Sequence, residues 1–188
     1  MMNGCPRWSF LTVPLLAALG CSDPVPRPAQ GNLNLSVQQG TGCPVTAKVY
    51  QVGNPKPPST ISSGDKLIDG ENGATIKCAV HGGGPYTFSG TIQGRSSEND
   101  RVYMTMTGGV INADKISGTV TVAINTPQLS NTYTSDAGTC IVTVVNSNVK
   151  GGSLWATVSC AKVSEPSTAT SCSVGPTTTF VLENCDGS

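Results

Sequence analysis

The chain is 188 residues long with eleven basic and eleven acidic residues, so its formal net charge is zero, and charged side chains make up only 12% of it. Near-neutrality without a charge block excludes an electrostatically driven nucleic-acid binder, which needs clustered Lys and Arg against phosphate. Twenty-two glycines and many Ser, Thr and Asn suit a β protein of turns and Thr-rich strands, and eight cysteines point to an oxidising compartment.

The first element in the chain is an apolar run from Trp8 to Leu19, behind Arg7 and with no acid before Asp23. About a dozen apolar residues fall short of the ~20 that cross a hydrocarbon core, so the run reads as a cleaved export signal rather than a transmembrane helix. It closes on Ala18-Leu19-Gly20-Cys21, which resembles the lipobox of bacterial lipoproteins. The resemblance covers residues 1–21 alone, and it departs from the commonest pattern with Ala18 where Leu is usual and Pro14 inside the run. It implies a signal peptide over residues 1–20, a diacylglycerol thioether on Cys21, and fatty acylation of the palmitate kind on the new amino group. Several chains make a stable membrane anchor where one holds marginally. Ser22 behind the lipidated cysteine implies, on the same resemblance, sorting to the outer membrane of a Gram-negative envelope.

Residues 21–31 carry Pro24, Pro26 and Pro28 in alternation. Such spacing favours extended polyproline-like chain at ~3.1 Å per residue, a tether holding the rest of the protein roughly 30 Å from the membrane.

Cysteine usage agrees with the leader. Cys5 falls in the discarded segment and Cys21 is the lipid site, leaving Cys43, Cys78, Cys140, Cys160, Cys172 and Cys185, an even number fit for three disulfides. Zinc is the poorer reading, since the chain has one His and no Cys-x-x-Cys. Spacing does not reveal connectivity. The simplest expectation closes neighbours in sequence: Cys43 with Cys78, Cys140 with Cys160, and Cys172 with Cys185.

Residues 32–188 read as a single β domain with period-two alternation. The alternating sets are Leu33, Leu35 and Val37; Val45, Ala47 and Val49; Ile76, Cys78 and Val80; Tyr86, Phe88 and Ile92; Val102, Met104 and Met106; and Val120, Val122 and Ile124. Cys140, Val142 and Val144 come next, then Leu154, Ala156, Val158 and Cys160, and finally Phe180 and Leu182. Gly- and Pro-rich breakers separate these sets and no helical period competes, so the expected fold is all-β, an antiparallel sandwich or open barrel of about nine short strands. Parity turns Cys78, Cys140 and Cys160 inward.

Candidate chemistry is sparse. His81-Gly82-Gly83-Gly84 resembles an esterase oxyanion loop, but the chain has no Gly-x-Ser-x-Gly, and a hairpin turn explains the glycines. Ser63-Gly64-Asp65-Lys66 and Ser147-Asn148-Val149-Lys150 match Ser-x-x-Lys, yet both sit among turn residues rather than on the helix that motif needs. Two acidic loops, Asp65 to Glu71 and Glu98-Asn99-Asp100, offer oxygens to a structural calcium ion without EF-hand spacing; solvated turns are the better explanation, and no cofactor is expected. Trp155 stands out. Its parity opposes Leu154, Ala156 and Val158, placing a large ring on the polar face with Thr157 and Ser159, where sheet-borne aromatics stack sugar rings. With no nucleophile and base pair recognisable, the expected role is that of a non-enzymatic, membrane-anchored envelope lipoprotein displaying its domain to a protein partner. The alternative is a glycan-binding module using Trp155.

Overall fold

The computed structural model describes residues 26–54 and 66–187. The leader, Cys21, the start of the Pro-rich segment, Ser63 and Asp65 lie outside the described residues.

Among the described residues one antiparallel sheet runs through β1 (Gln30–Gln38), β2 (Lys48–Val52), β3 (Leu67–Ile68), β4 (Thr75–Gly82), β5 (Tyr86–Arg95), β6 (Arg101–Ile111), β7 (Ser117–Asn125), β8 (Tyr133–Thr134), β9 (Cys140–Lys150), β10 (Ser153–Ser164) and β11 (Ser171–Glu183). Every alternating segment of the sequence overlaps a strand, though Val45 and Ala47 of the second set lie ahead of β2. The unforeseen ones, β3 and β8, hold two residues each and are too short to show a period. Gln30 and Gly31, read as tether, already belong to β1. The His81 segment makes the β4–β5 hairpin, with Gly82 opposite Tyr86.

Strands β4 to β7 form a meander; β9 joins β7 to β10, β11 pairs with β10, and β1 pairs with β11 and carries β2 and β3. The sheet folds over itself so that β5 lies across β11, giving a sandwich-like core. The Phe88 and Phe180 rings stack with centroids 6.3 Å apart. Gly90 lets the layers meet, since a Cβ there would stand 2.7 Å from Leu182 Cδ1. Gly94 likewise faces Val52 across the core.

Both open edges of this sheet are capped by chain. On β4, Val80 N donates to Asp186 O (2.8 Å), Asp186 N to Cys78 O (3.0 Å) and Gly152 N to Val80 O (2.9 Å). On β2, Ser97 N donates to Gln51 O (3.1 Å) and Val52 bridges Ser96.

Inward parity holds for every long strand except β2. Val45 is buried, but the chain from Cys43 to Ala47 is irregular, so alternation restarts at Lys48 on the other phase. Tyr50 and Val52 face the core and Val49 is 49% exposed. Tyr50 and Val52 have the larger claim: the ring fills core volume and its hydroxyl reaches Gln128 Oε1 at 3.2 Å, while Val52 fills the space left by Gly94.

The disulfides depart from the expected pairing. Cys140–Cys160 joins β9 to β10 as read from sequence, but the others are Cys43–Cys172 and Cys78–Cys185. The last strand explains it. By inserting between β1 and β10, β11 carries Cys172 to the loop after β1 and delivers Cys185 to β4. Cys140 and Cys160 point inward as parity implied, and Cys78 is half-buried against the core.

The connection between β7 and β8 is pinned from three sides. Leu129 is buried in the core, Gln128 accepts from Tyr50, and Asn131 Nδ2 donates to Glu165 Oε1. Glu165 also accepts from Ser167 Oγ (2.9 Å) and Thr168 Oγ1 (3.2 Å). The hydrogen bond from Ser167 first, then those from Asn131 and Thr168, hold its carboxyl below the ordinary 4.5 against the opposing effect of burial.

In the chain-closure account, a bridge closing about 20 residues is worth ~3 kcal/mol and one closing more than 100 nearly 5 kcal/mol. The separations here are 20 for Cys140–Cys160 against 107 and 129 for the others. Denaturant titration of paired Cys→Ala variants is expected to rank Cys140/Cys160 as the least costly; the reverse order would place the stabilisation in side-chain burial. Because the Glu165 pKa is depressed on folding, its contribution is present above the ordinary 4.5 and lost as pH falls through the lowered value. Melting temperature is expected to drop on acidification below about 4.5, with a shallower drop in Glu165→Gln; parallel curves would contradict that assignment.

Candidate functional site

Leu154, Ala156 and Val158 are buried, which turns Trp155 to the outer face of β10. It is half-buried there rather than open. The same logic on β11, where Phe180 and Leu182 face the core, sets Val181 and Glu183 on the opposite face beside it, although Val181 is itself fully buried there. Register then sets Trp155 opposite Val181, and Ser153 opposite Glu183. Trp155 Nε1 donates to Glu183 Oε1 at 2.7 Å. Lys66, just ahead of β3, places its Nζ 2.5 Å from Glu183 Oε2 and 5.4 Å from the Trp155 ring centroid.

The Lys66 side chain is 3% exposed and that of Glu183 22%. The partners of this buried amine are the Glu183 carboxylate and the face of the Trp155 indole. Lys66 engages Oε2 of Glu183 and Trp155 engages Oε1, so both carboxylate oxygens are held.

Strand β9 loses step opposite the tryptophan. Val149 pairs with Leu154 and Val144 with Ala156, so Val145 to Asn148 bulge against the single residue Trp155. Asn146 and Ser147 at its crest have φ of 50° and 54°. Asn tolerates that left-handed region, while Ser adopts it at a cost of about 1 kcal/mol, and such strain gathers where a surface is shaped for use. The bulge walls a cleft of about 210 Å³ lined by Ser147, Asn148, Lys150, Ser153, Trp155 and Glu183. Drug-sized sites start near ~300 Å³, so this cleft suits one sugar ring or the end of a chain.

The other sequence candidates are dispersed. Ser147 and Lys150 of the second Ser-x-x-Lys match lie on β9, a strand, and so lack the helical geometry that would set the amine beside the hydroxyl. Lys66 of the first match is bound to Glu183. His81 is exposed at the end of β4. In the acidic loops, Asp69 Oδ1 accepts from Ile76 N (2.8 Å) and Glu71 Oε2 from Ile68 N (3.2 Å). Glu98 and Asp100 both pair with Lys48 Nζ, at 2.7 and 3.1 Å, and hold that ammonium above its usual range. The six cysteines beyond Cys21 are all bridged.

Parity on β11 marks Glu183 as outward, so that half of the Trp155 cluster has a sequence signal. Lys66 has none, because only the pairing of β3 with the start of β1 brings it there. Compared with protein-family models, curated proteins and solved structures, the chain finds no match.

Removing one member of the cluster leaves a buried charge unpaired. Glu183→Gln is expected to destabilise the fold by roughly 3 kcal/mol, and Lys66→Met added to it to restore most of that loss. Chemical denaturation of the single and double variants checks it; additive losses would deny the coupling.

Proposed function

We propose that the chain is an exported, membrane-anchored envelope lipoprotein that works by presenting a rigid β domain to a protein partner, not by catalysis. The observation that carries this reading is the cysteine accounting. Every cysteine beyond Cys21 is consumed in one of three disulfides, so the oxidised framework closes without Cys21 and leaves it for another fate. A lipidated amino terminus supplies that fate, and an oxidising compartment suits the bridges. By the resemblance of the leader, with Ser22 next to the lipid site, the anchor is assigned to the outer membrane.

The entry point of the chain fits a tether. Gln30, the first residue of β1, pairs with Glu183, so the described chain enters the domain at the end of the sheet that holds the Trp155 cluster. A polyproline-like stretch from Cys21 to Gln30 would reach roughly 25–30 Å, enough to clear lipid headgroups.

A second reading, recognition of a glycan end in the Trp155 cleft, rests on the strained bulge at Asn146 and Ser147. Hydroxyls, an amide and an ammonium line the cleft beside a ring edge, a set suited to sugar hydroxyls. The indole N–H is spent on Glu183 and Lys66 lies over the ring, so Ser147, Asn148 and Lys150 would carry the polar contacts.

Intact mass of protein extracted from membranes, with its terminal peptide sequenced, is expected to show a chain starting at Cys21 and carrying acyl groups. The cysteines beyond it should alkylate only after reduction. An unmodified Cys21, or a start elsewhere, sinks the anchored reading. For the second reading, Asn148→Ala is expected to abolish retention of the domain on a glycan array; unchanged retention would rule the cleft out as the binding site.

A further inference from the structure

We propose that the outer face of β5, β6 and β7 carries a second, independent site, one that binds a carboxylate-bearing saccharide through Arg95, Arg101 and Tyr103. It depends neither on the lipid anchor nor on the Trp155 cleft.

Register builds the site. Gly94, Val102 and Met104 are buried, so Gln93, Arg95, Arg101 and Tyr103 face outward. Arg95 lies directly opposite Arg101, Gln93 opposite Tyr103, and Tyr103 opposite Asn125 on β7. Two like charges facing each other across adjacent strands destabilise a sheet, and an anion between them relieves that cost. Among the described residues no carboxylate pairs with either guanidinium. The nearest acids along the chain, Glu98 and Asp100 in the same hairpin, are both drawn to Lys48.

Each guanidinium is held and keeps donors free. With the Gln93 amide oriented to satisfy both groups, its oxygen accepts from Arg101 Nε (3.1 Å) and Nη2 (2.5 Å). That leaves the terminal fork of Arg101, the edge that takes a carboxylate in bidentate fashion. Arg95 Nη1 donates to Asn99 O and Oδ1, both at 3.2 Å, which leaves its other nitrogens open. Tyr103 is fixed too, its oxygen accepting from Thr105 Oγ1 at 2.5 Å, with Thr91 3.1 Å beyond.

Arg101 and Tyr103 border a hollow of about 530 Å³ whose wall also includes Gln93, Asn125, Thr126 and Ser130, and Arg95 stands beside it, opposite Arg101. That volume lies within the ~300–1,000 Å³ of small-molecule sites. Its far wall is the β7–β8 connection, pinned through Gln128, Leu129 and Asn131, so the shape is set in advance of any ligand. Thr126 in that wall is fully buried and its hydroxyl has no hydrogen-bond partner among the described residues. A half-buried tyrosine ring offers an apolar face to the C–H side of a pyranose, and the amides and hydroxyls around it match ring hydroxyls. The arginine pair selects the acid. A bare phosphate would engage the arginines and leave Tyr103, Asn125 and most of the hollow without a role.

Calorimetry on the purified full chain, disulfides intact, tests this with tetramers of galacturonate, glucuronate and mannuronate. Their methyl-esterified forms and inorganic phosphate serve as controls. At least one free-acid tetramer is expected to bind, with affinity falling as salt rises, and its methyl ester to bind about tenfold more weakly or worse. Arg101→Gln and Arg95→Gln, at exposed positions, should each weaken the acid about tenfold, and Tyr103→Ala should weaken acid and ester alike. The proposal is overturned if none of the acids binds, if ester and acid bind equally, if Arg101→Gln changes nothing, or if phosphate alone binds as tightly as the tetramer.

Discussion

The structure depends on where the last strand goes. β11 does not extend the meander at an open edge; it slots between β1 and β10 and is fastened at both ends, Cys172 to the loop after β1 and Cys185 to β4. From that position Phe180 and Leu182 press on Phe88 and Gly90 across the core, so β11 joins the layers as well as its neighbours. The residues just beyond it cap the β4 edge. A folded-over sheet with both edges covered has little surface left to template aggregation, a property that suits long service in an oxidising environment without chaperone repair.

Irregularities in the strands lie where the surface takes shape. Strand β6 bulges at Thr107 and Gly108 against β5 and at Gly108 and Gly109 against β7, and Gly108 takes φ 61°. The bulge of β9 at Val145 to Asn148 creates the cleft beside Trp155. Strand β11 also loses register, against β1 between Asn34 and Val37 and against β10 around Cys160. The polar outer surface is therefore not uniform, and its features arise at bulges and at the arginine pair near the β5–β6 turn.

Several polar groups of the outer surface are fixed by one another. Glu183, Lys48 and Glu165 are each committed to partners already in place, and such groups hold the shape of the surface around them. Arg95 and Arg101, by contrast, keep guanidinium nitrogens that no hydrogen bond within the described residues takes up.

How much of the fold and of its sites is legible in the chain depends on which forces are local. Alternation of apolar and polar residues is written in the chain, because successive side chains of a strand point to opposite faces. It located every long strand, turned Trp155 outward and Cys140 and Cys160 inward. The even number of cysteines beyond Cys21 was a matter of counting. Only the tertiary structure decided which cysteines meet, because partners 107 and 129 residues apart are chosen by sheet order, to which period two is blind. The phase of β2 was likewise set from outside, by the irregular chain after Cys43 and by the space that Gly94 leaves for Val52. Lys66 meets Trp155 and Glu183 for the same reason: a two-residue strand, too short to carry a pattern, is placed by pairing with β1. Local sequence determined which faces of the strands are apolar; long-range packing alone determined which strands are neighbours, and so which side chains share a site.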